Sequence, residues 1–440
     1  MITGNEIKTR VLGAGFMNPN TRYQKKLVDD IPLMISGNYL VCIPKTDEVR
    51  HVGIIGMTGS CKSLFVNAQL SYRYWLQNRA CAYINDFQRE TFEWNLECKN
   101  EEFIKVFSLI GLNPCPTPLV FVFPSTKTLV IDSKEEKFPT IKMTIPVDYA
   151  IKNIEQFHNL DRSKLYLGNI KEELIQCTSM QEIKEVLEET FPDKDESGNK
   201  TSMRGMRFKM LNVFDDLFKN KMLNVSSPES PAYLEYRRGD EKYINTTIQT
   251  IMRAGLVPSI QTSDLCNQDF FSPYMAFIVN TIYENQYYDN YFKKVTVNLF
   301  IDEIAKLWGN KDNGNIIRSV IGLIGTNGRM ARIELIWATQ HYDQIPRVQI
   351  RSNTKYLIVA RQPDSKAVLE IKKDFAIPKE LADEMVNLKS EPDKGLFEVI
   401  FLCNEKYVLY DLTNGNKTES REPRKGFLVP PVASHRTPRK

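Results

Sequence analysis

No stretch of the chain carries the roughly 18 consecutive apolar residues that a membrane-crossing helix needs. Its best apolar runs, such as Pro118 to Pro124, are strand-sized. The opening residues, MITGNEIKTR, carry charge with no apolar segment behind them, so no secretory signal is expected. Paired cysteines are missing as well. The eight cysteines are scattered, with no C-x-x-C pair and no histidine at ligand spacing. That argues against a zinc site or a disulfide framework and for free thiols in a reducing, cytoplasmic setting. Nor is charge of one sign in excess: 58 Lys and Arg stand against 54 Asp and Glu, a formal net charge of +4. A uniformly basic, histone-like binder is excluded, and any contact with nucleic acid must be local. What remains is an ordinary globular composition, 42% hydrophobic and 25% charged, on a length that allows two or three domains.

Strand candidates alternate with helix candidates. Asn38 to Ile43 and Val52 to Ile55 read as strands, and Leu64 to Gln77 as a helix with Leu64, Ala68 and Tyr72 at helical spacing. Further strands are expected at Cys81 to Ile84, Val120 to Phe123, Thr128 to Ile131, Leu256 to Ser263 and Val295 to Ile301. Ile333 to Ala338 and Lys355 to Ala360 follow. Between about 150 and 225 the texture is helical, with a Ser179-capped helix stopped by Pro192, a polar loop, and a second helix from Met203 to Leu223. A helix is expected from about Pro273 to Glu284, and Phe397 to Cys403 with Tyr407 to Leu412 read as a terminal hairpin. The pattern predicts an α/β fold with a mainly parallel central sheet. It divides as follows: a β-rich segment at 1–49, a first core part at 50–149, a helical insertion at 150–245, a second core part at 246–412, and a basic, proline-containing tail at 413–440.

Gly56-Met57-Thr58-Gly59-Ser60-Cys61-Lys62-Ser63 fits the phosphate-loop spacing G-x-x-x-x-G-K-[ST] at every position but one, where Cys61 stands for glycine. Such a loop turns its backbone N–H groups toward a polyphosphate at the positive end of the next helix. Lys62 then neutralises the β and γ phosphates and Ser63 offers its hydroxyl to Mg²⁺. Val297 to Ile301 is an apolar strand ending in Asp302 and Glu303. Asp302 is placed to hold the shell of the metal, and Glu303 to polarise an attacking water. An acidic strand end is common by itself; an upstream phosphate loop makes it specific, and the adjacent glutamate favours an NTPase over a kinase. Gln340, at the end of a neighbouring strand, is a candidate γ-phosphate sensor, with a plain strand cap as the alternative. Arg329, read as part of a glycine-containing turn, is a candidate arginine finger or a solvated charge.

The ordered set of motifs resembles the HerA/FtsK group of RecA-like P-loop ATPases and their VirB4/TraG-like and virus-packaging relatives. The similarity begins at Arg50-His51-Val52-Gly53-Ile54-Ile55-Gly56-Met57-Thr58-Gly59-Ser60 and continues through Ala82 to Glu90 and the Asp302-Glu303 strand. It extends over Gly328-Arg329 to Ala338-Thr339-Gln340, then Arg351 to Thr354 and Arg361 to Asp364. The resemblance implies a motor that binds ATP and Mg²⁺, forms a homo-oligomeric, hexameric ring, and moves duplex DNA through its pore. A nuclease or a secretion or packaging partner would accompany it. Glu303, Lys62, Gln340 and Arg329 are then catalytic. Gly56, Thr58, Gly59, Ser60, Cys61, Lys62 and Ser63 hold the nucleotide, Ser63 and Asp302 the metal, and Arg50, Arg351 and Arg361 are trans-acting interface candidates. Arg204 to Lys221 and Lys311 to Arg318 are candidates for a basic pore lining. Two alternatives stand beside this reading: a VirB4-like secretion or conjugation ATPase, and a slow or inactive structural ring subunit on account of Cys61.

Overall fold

The computed structural model describes residues 29–435, apart from 47, 61, 78, 86–88, 125–139, 144, 147–169, 175, 178, 195–196, 200, 202, 220–222, 225–231, 238–239, 246–247, 262–267, 289–294, 306–313 and 392–395. The first part of the chain forms β1 (Ile31–Ser36), β2 (Tyr39–Ile43), β3 (His51–Ile55), α1 (Lys62–Gln77), β4 (Ala80–Asn85), α2 (Glu101–Ser108) and β5 (Leu119–Pro124). The middle forms β6 (Thr140–Met143), β7 (Ile145–Pro146), α3 (Met180–Thr190), α4 (Arg204–Lys219), β8 (Leu223–Asn224), β9 (Ala232–Arg237) and β10 (Asp240–Asn245). Next come α5 (Ile248–Arg253), β11 (Val257–Gln261), α6 (Gln268–Tyr288), β12 (Val297–Ile301), α7 (Gly314–Ala331), β13 (Ile333–Thr339) and β14 (Thr354–Val359). The chain continues through α8 (Ser365–Phe375), α9 (Lys379–Glu384), β15 (Ser390–Glu391), β16 (Leu396–Cys403), β17 (Tyr407–Asp411), β18 (Lys417–Ser420) and β19 (Arg424–Leu428).

Strands β3, β4, β11, β12 and β13 have no exposed face, and such strands belong inside a parallel sheet covered on both sides. They pair in parallel in the order β5, β11, β4, β12, β13, β3, β14. Alternation along them divides the core. Ile84, Ile301, Trp337 and Val359 face the side that carries α6, α7 and α8. Tyr83, Phe300, Ala338 and Ile358 face the side that carries α1. The register sets Ile301 opposite Ile84 and Trp337, and Thr339 opposite Ile55. The carboxyl ends of these strands therefore share one edge, where ligands of open α/β sheets bind.

Helix α1 is buried nearly all round, and its buried polar side chains each find a defined partner. Asn67 Nδ2 donates to the Ser434 carbonyl at 3.1 Å, and Gln69 Nε2 to Pro32 at 3.4 Å. Arg73 pairs with Glu334 at 2.7 Å, a carboxylate that Arg79 holds as well. What covers α1 is an antiparallel wrap of the two chain ends. Beyond β14 the ladder runs β16, β19, β1, β2, β17, β18.

This wrap corrects two expectations. Strands β16 and β17 do not form a hairpin with each other: β16 takes β14 and β19 as partners, and β17 takes β2 and β18. The segment from Thr413 is not a free tail, since it supplies β18 and β19 and then buries Leu428, Val429, Val432 and Ala433. Its charges lie outward while those apolar residues close the α1 layer, which a count of prolines and lysines does not register.

The two helices expected in the insertion are present among the described residues. Ser179 caps α3 by accepting the Glu182 N–H, and Ile183, Leu187, Met210 and Phe214 join the core on the α6 side. Ala232–Arg237 and Asp240–Asn245 are strands instead, an antiparallel pair that extends the sheet through β6. The strand expected at 128–131 lies outside the described residues. On α4, Arg207 is buried and bound to Asp193 at 2.6 Å, so it lines no pore; Arg204 and Lys209 are exposed. Lys221 and Lys311 lie outside the described residues, as does the side chain of Arg318.

Two stability predictions arise here. A Cβ on Gly53 would sit 2.5 Å from Trp337 Cζ2 and 2.6 Å from Leu357 Cδ1. Gly53→Ala is expected to cost about 1–3 kcal/mol by overpacking, read as a lower urea midpoint. His51 is buried, its Nδ1 accepting the Leu335 N–H at 3.0 Å, and desolvation holds its pKa down at about 4. The native state therefore binds fewer protons than the unfolded chain below the ordinary histidine value, and stability is lost as pH falls from about 6.5 toward 4. The loss approaches about 3 kcal/mol, and His51→Gln should flatten that part of the wild-type pH profile.

Candidate nucleotide site

The phosphate loop leaves β3 at Gly56 and enters α1 at Lys62, and its shape is fixed by its own backbone. Gly56 N donates to the Thr339 carbonyl at 3.3 Å and Met57 N to the Arg361 carbonyl at 3.0 Å. The Ser60 N–H and hydroxyl both donate to the Met57 carbonyl, at 3.1 and 2.7 Å. A Cβ on Gly56 would collide with Ser60 Oγ and lie 2.9 Å from the Ala360 Cβ, so only glycine fits. Gly59 has φ +79°, a conformation that L side chains rarely adopt. Cys61 lies outside the described residues.

Lys62 opens α1, with Nζ 3.4 Å from the Met57 carbonyl. Its charge acts on Asp302, which follows β12 on the α1 side of the sheet. Burial pushes the Asp302 carboxyl up to about 6, even though Lys62 pulls it down. The Tyr83 hydroxyl donates to Asp302 Oδ2 at 3.4 Å. Ser63 is adjacent to Lys62 on α1 and half-buried.

Glu303 takes a left-handed backbone conformation, φ 52°, which costs a non-glycine residue on the order of 1 kcal/mol. That turn aims its carboxylate across β13: Oε1 accepts from Thr339 Oγ1 at 2.9 Å and from Gln340 N at 3.2 Å. Gln340 in turn accepts the Thr58 hydroxyl on its Oε1 at 2.8 Å, and its carbonyl accepts from Gln362 Nε2 at 2.9 Å. Thr58, Gln340 and Glu303 are thus one hydrogen-bonded line. Thr339 and Gln362 were not singled out as site residues; each flanks one that was, Gln340 and Arg361, and their side-chain bonds appear only in three dimensions.

The arginines separate. Arg361 lies at this edge, its carbonyl holding Met57 and its side chain exposed. Arg351 is buried: it pairs with Glu370 at 2.8 Å and Asp374 at 3.1 Å and covers the Tyr342 ring, so its charge is matched within the chain. Arg50 is similarly tied to Tyr356 at 2.8 Å and Glu405 at 3.1 Å. Arg329 is in the last turn of α7 and not in a turn of its own, exposed where a positive charge suits a helix end. It precedes β13, and the seven residues of that strand, at about 3.3 Å each, put it roughly 20 Å from Gln340.

Asp302, desolvated beside Lys62 and facing the α1 terminus, fits a divalent cation, which would offset the cost of ionising a buried carboxyl. His341, Asp343 and Asp364 also lie within 4.8 Å of one another, but His341 and Asp343 are exposed and Asp364 caps α8.

No protein-family model and no curated protein matches the sequence. Solved structures resemble the chain. VirB4 of Thermoanaerobacter pseudethanolicus superposes with a TM-score of 0.50 at 12% identity, covering 89% of this chain and 96% of that one. The bacterial conjugative coupling protein TrwBΔN70, in an unbound monoclinic form, gives 0.49 at 13% identity over 100% and 95% of the two chains. The genome packaging NTPase B204 of Sulfolobus turreted icosahedral virus 2, in complex with AMP, gives 0.23 at 18% identity over 40% and 71%. The chain shares the VirB4 fold, and its core is a RecA-like P-loop NTPase fold. Among the described residues no helix is long and apolar enough to cross a membrane.

Proposed function

We propose that the protein is an ATP-driven motor that assembles as a ring, hexameric by resemblance, and translocates duplex DNA. The observation that carries this reading is the hydrogen-bonded line from Thr58 through Gln340 to Glu303, set between Lys62 and Asp302. Gly56, Thr58, Gly59, Ser60, Cys61, Lys62 and Ser63 would cradle the triphosphate, and Ser63 and Asp302 would hold Mg²⁺, which supplies charge neutralisation across the β and γ phosphates. Glu303 polarises the attacking water and Lys62 stabilises charge on the phosphoryl oxygens. Gln340 reports the γ-phosphate to Thr58 and Glu303, because all three share bonds. Arg329, exposed and far from its own site, acts on a neighbouring subunit if it acts on any.

A secretion or conjugation ATPase of the VirB4 type is the second reading, favoured by the match over 89% of the chain to VirB4. ATP hydrolysis by a size-resolved oligomer, with and without duplex DNA, separates the two. Stimulation by DNA supports the motor, and hydrolysis indifferent to DNA moves the conclusion to the second reading. No hydrolysis by wild type, with activity gained in Cys61→Gly, would make the chain a structural ring subunit. Co-purification tests whether a nuclease, packaging or secretion partner accompanies it.

A further inference from the structure

Tyr83 lies within the Ala82 to Glu90 similarity but carries no role there, and it is a buried side chain that touches Asp302, the carboxylate proposed to hold the metal. It lies on β4 opposite Phe300 of β12, two residues before Asp302, so alternation puts Tyr83 and Asp302 on the same face of the sheet. Its hydroxyl donates to Asp302 Oδ2 at 3.4 Å and is also hydrogen-bonded by Asn85, the last residue of β4. The ring is fully buried and stacks on Trp94, with centroids 5.1 Å apart and planes 20° from parallel. Trp94 stands on the short 3-10 helix Arg89–Asn95, whose Thr91 receives the Asn85 side-chain N–H at 3.1 Å. Behind it the His435 ring of the C-terminal segment lies 6.2 Å away. That segment is pinned to its surroundings by Asn67 Nδ2 on the Ser434 carbonyl, the Cys98 and Cys115 N–H groups on Val432, and the Tyr72 hydroxyl on Pro430.

Each contact has one consequence for Asp302. A carboxylate on a strand end has two torsions to fix, and neighbours on one side only leave Oδ2 free to rotate. Lys62 acts on it through charge, a force with little directional demand. The phenol supplies direction, and packing against Trp94 stops the phenol from moving. A hydroxyl that donates to Oδ2 fixes the plane of the carboxylate and so aligns the other oxygen.

We propose that Tyr83 is a positioning residue for the divalent cation, orienting Asp302 through its hydroxyl and itself held by Trp94; this rests on the nucleotide-site reading above. The test is Mn²⁺ binding followed by electron paramagnetic resonance in the presence of ADP, beside the Mg²⁺ dependence of ATP hydrolysis. Tyr83→Phe, which keeps the ring and its stacking, is expected to weaken Mn²⁺ binding about 10- to 100-fold, the usual cost of removing a hydrogen-bond partner from a ligating carboxylate. ADP binding without metal, the melting temperature and kcat at saturating Mg²⁺ should stay within about two-fold or a few degrees of wild type. Trp94→Leu should shift Mn²⁺ binding in the same direction and Trp94→Phe restore it. Wild-type Mn²⁺ affinity in Tyr83→Phe would overturn the proposal, and so would the absence of Mn²⁺ binding by the wild type. If Mn²⁺ binding weakens while the wild type hydrolyses no ATP, the role of Tyr83 stands and the motor reading falls.

Discussion

Lys62→Ala is expected to lower ATP affinity at least about 100-fold and to take hydrolysis below detection. The loss has two parts. The ammonium stands at the head of α1 inside the loop, 3.4 Å from the Met57 carbonyl, where it would meet the phosphates with charge-assisted bonds. Each such bond is worth about 1.5–3 kcal/mol. Lys62 also draws the Asp302 carboxyl downward; without it, burial alone pushes Asp302 further above its present value of about 6, leaving less carboxylate for a cation at neutral pH. Because Lys62 is only half-buried and Asp302 still has Tyr83, the unliganded fold should barely change. Thermal shift makes the contrast visible. Wild-type protein at [ATP] near 100 times Kd gains about 2.7 kcal/mol by mass action, and the variant gains close to none. An unliganded variant that melts far below the wild type would assign Lys62 to folding instead.

The parts of this site that could be read from sequence are those carried by local patterns on buried strands. Val52 to Ile55 is apolar throughout and Val297 to Ile301 nearly so, with Asn298 its one polar residue, so each had to be central, and the polar residues after them had to lie at the sheet edge. Arg351 shows where such reading stops. The resemblance made it an interface candidate, but its acids, Glu370 and Asp374, come from α8 and close around it only on folding. The wrap over α1 escaped for the same reason. Met34 pairs with Leu428 and Ile35 with Phe427, partners at opposite ends of the chain whose short strands carry no trace of each other. Tyr83 looked like one more core residue of a buried strand; its hydroxyl becomes informative only when β12 brings Asp302 alongside. The strand pair Ala232–Arg237 and Asp240–Asn245 was absorbed into a helical insertion because its charged, alternating residues lack the apolar density of the central strands.

Glu303→Gln should reduce ATP hydrolysis at least about 100-fold while ATP still binds, a separation that a structural defect would not give. The substitution is nearly isosteric, and the bonds that hold the side chain survive it. A glutamine Oε1 still accepts from Thr339 Oγ1 and from Gln340 N, the two donors that face it now at 2.9 and 3.2 Å. The left-handed backbone at 303, φ 52°, is no harder for glutamine than for glutamate. Thr58 therefore keeps its bond to Gln340, and the loop keeps its shape. What is lost is the negative charge that takes a proton from water. Removing that charge also relieves Asp302, since Glu303 raises the Asp302 pKa by repulsion; cation and nucleotide should bind as well as before, or better. Equilibrium binding of labelled ATP and single-turnover hydrolysis, measured on the same preparation, give both halves. A glutamine variant that hydrolyses like wild type would remove Glu303 from the chemistry and leave it as a tether between β12 and β13. A variant that loses ATP binding along with hydrolysis would show that the line from Thr58 to Glu303 needs its charge to stand.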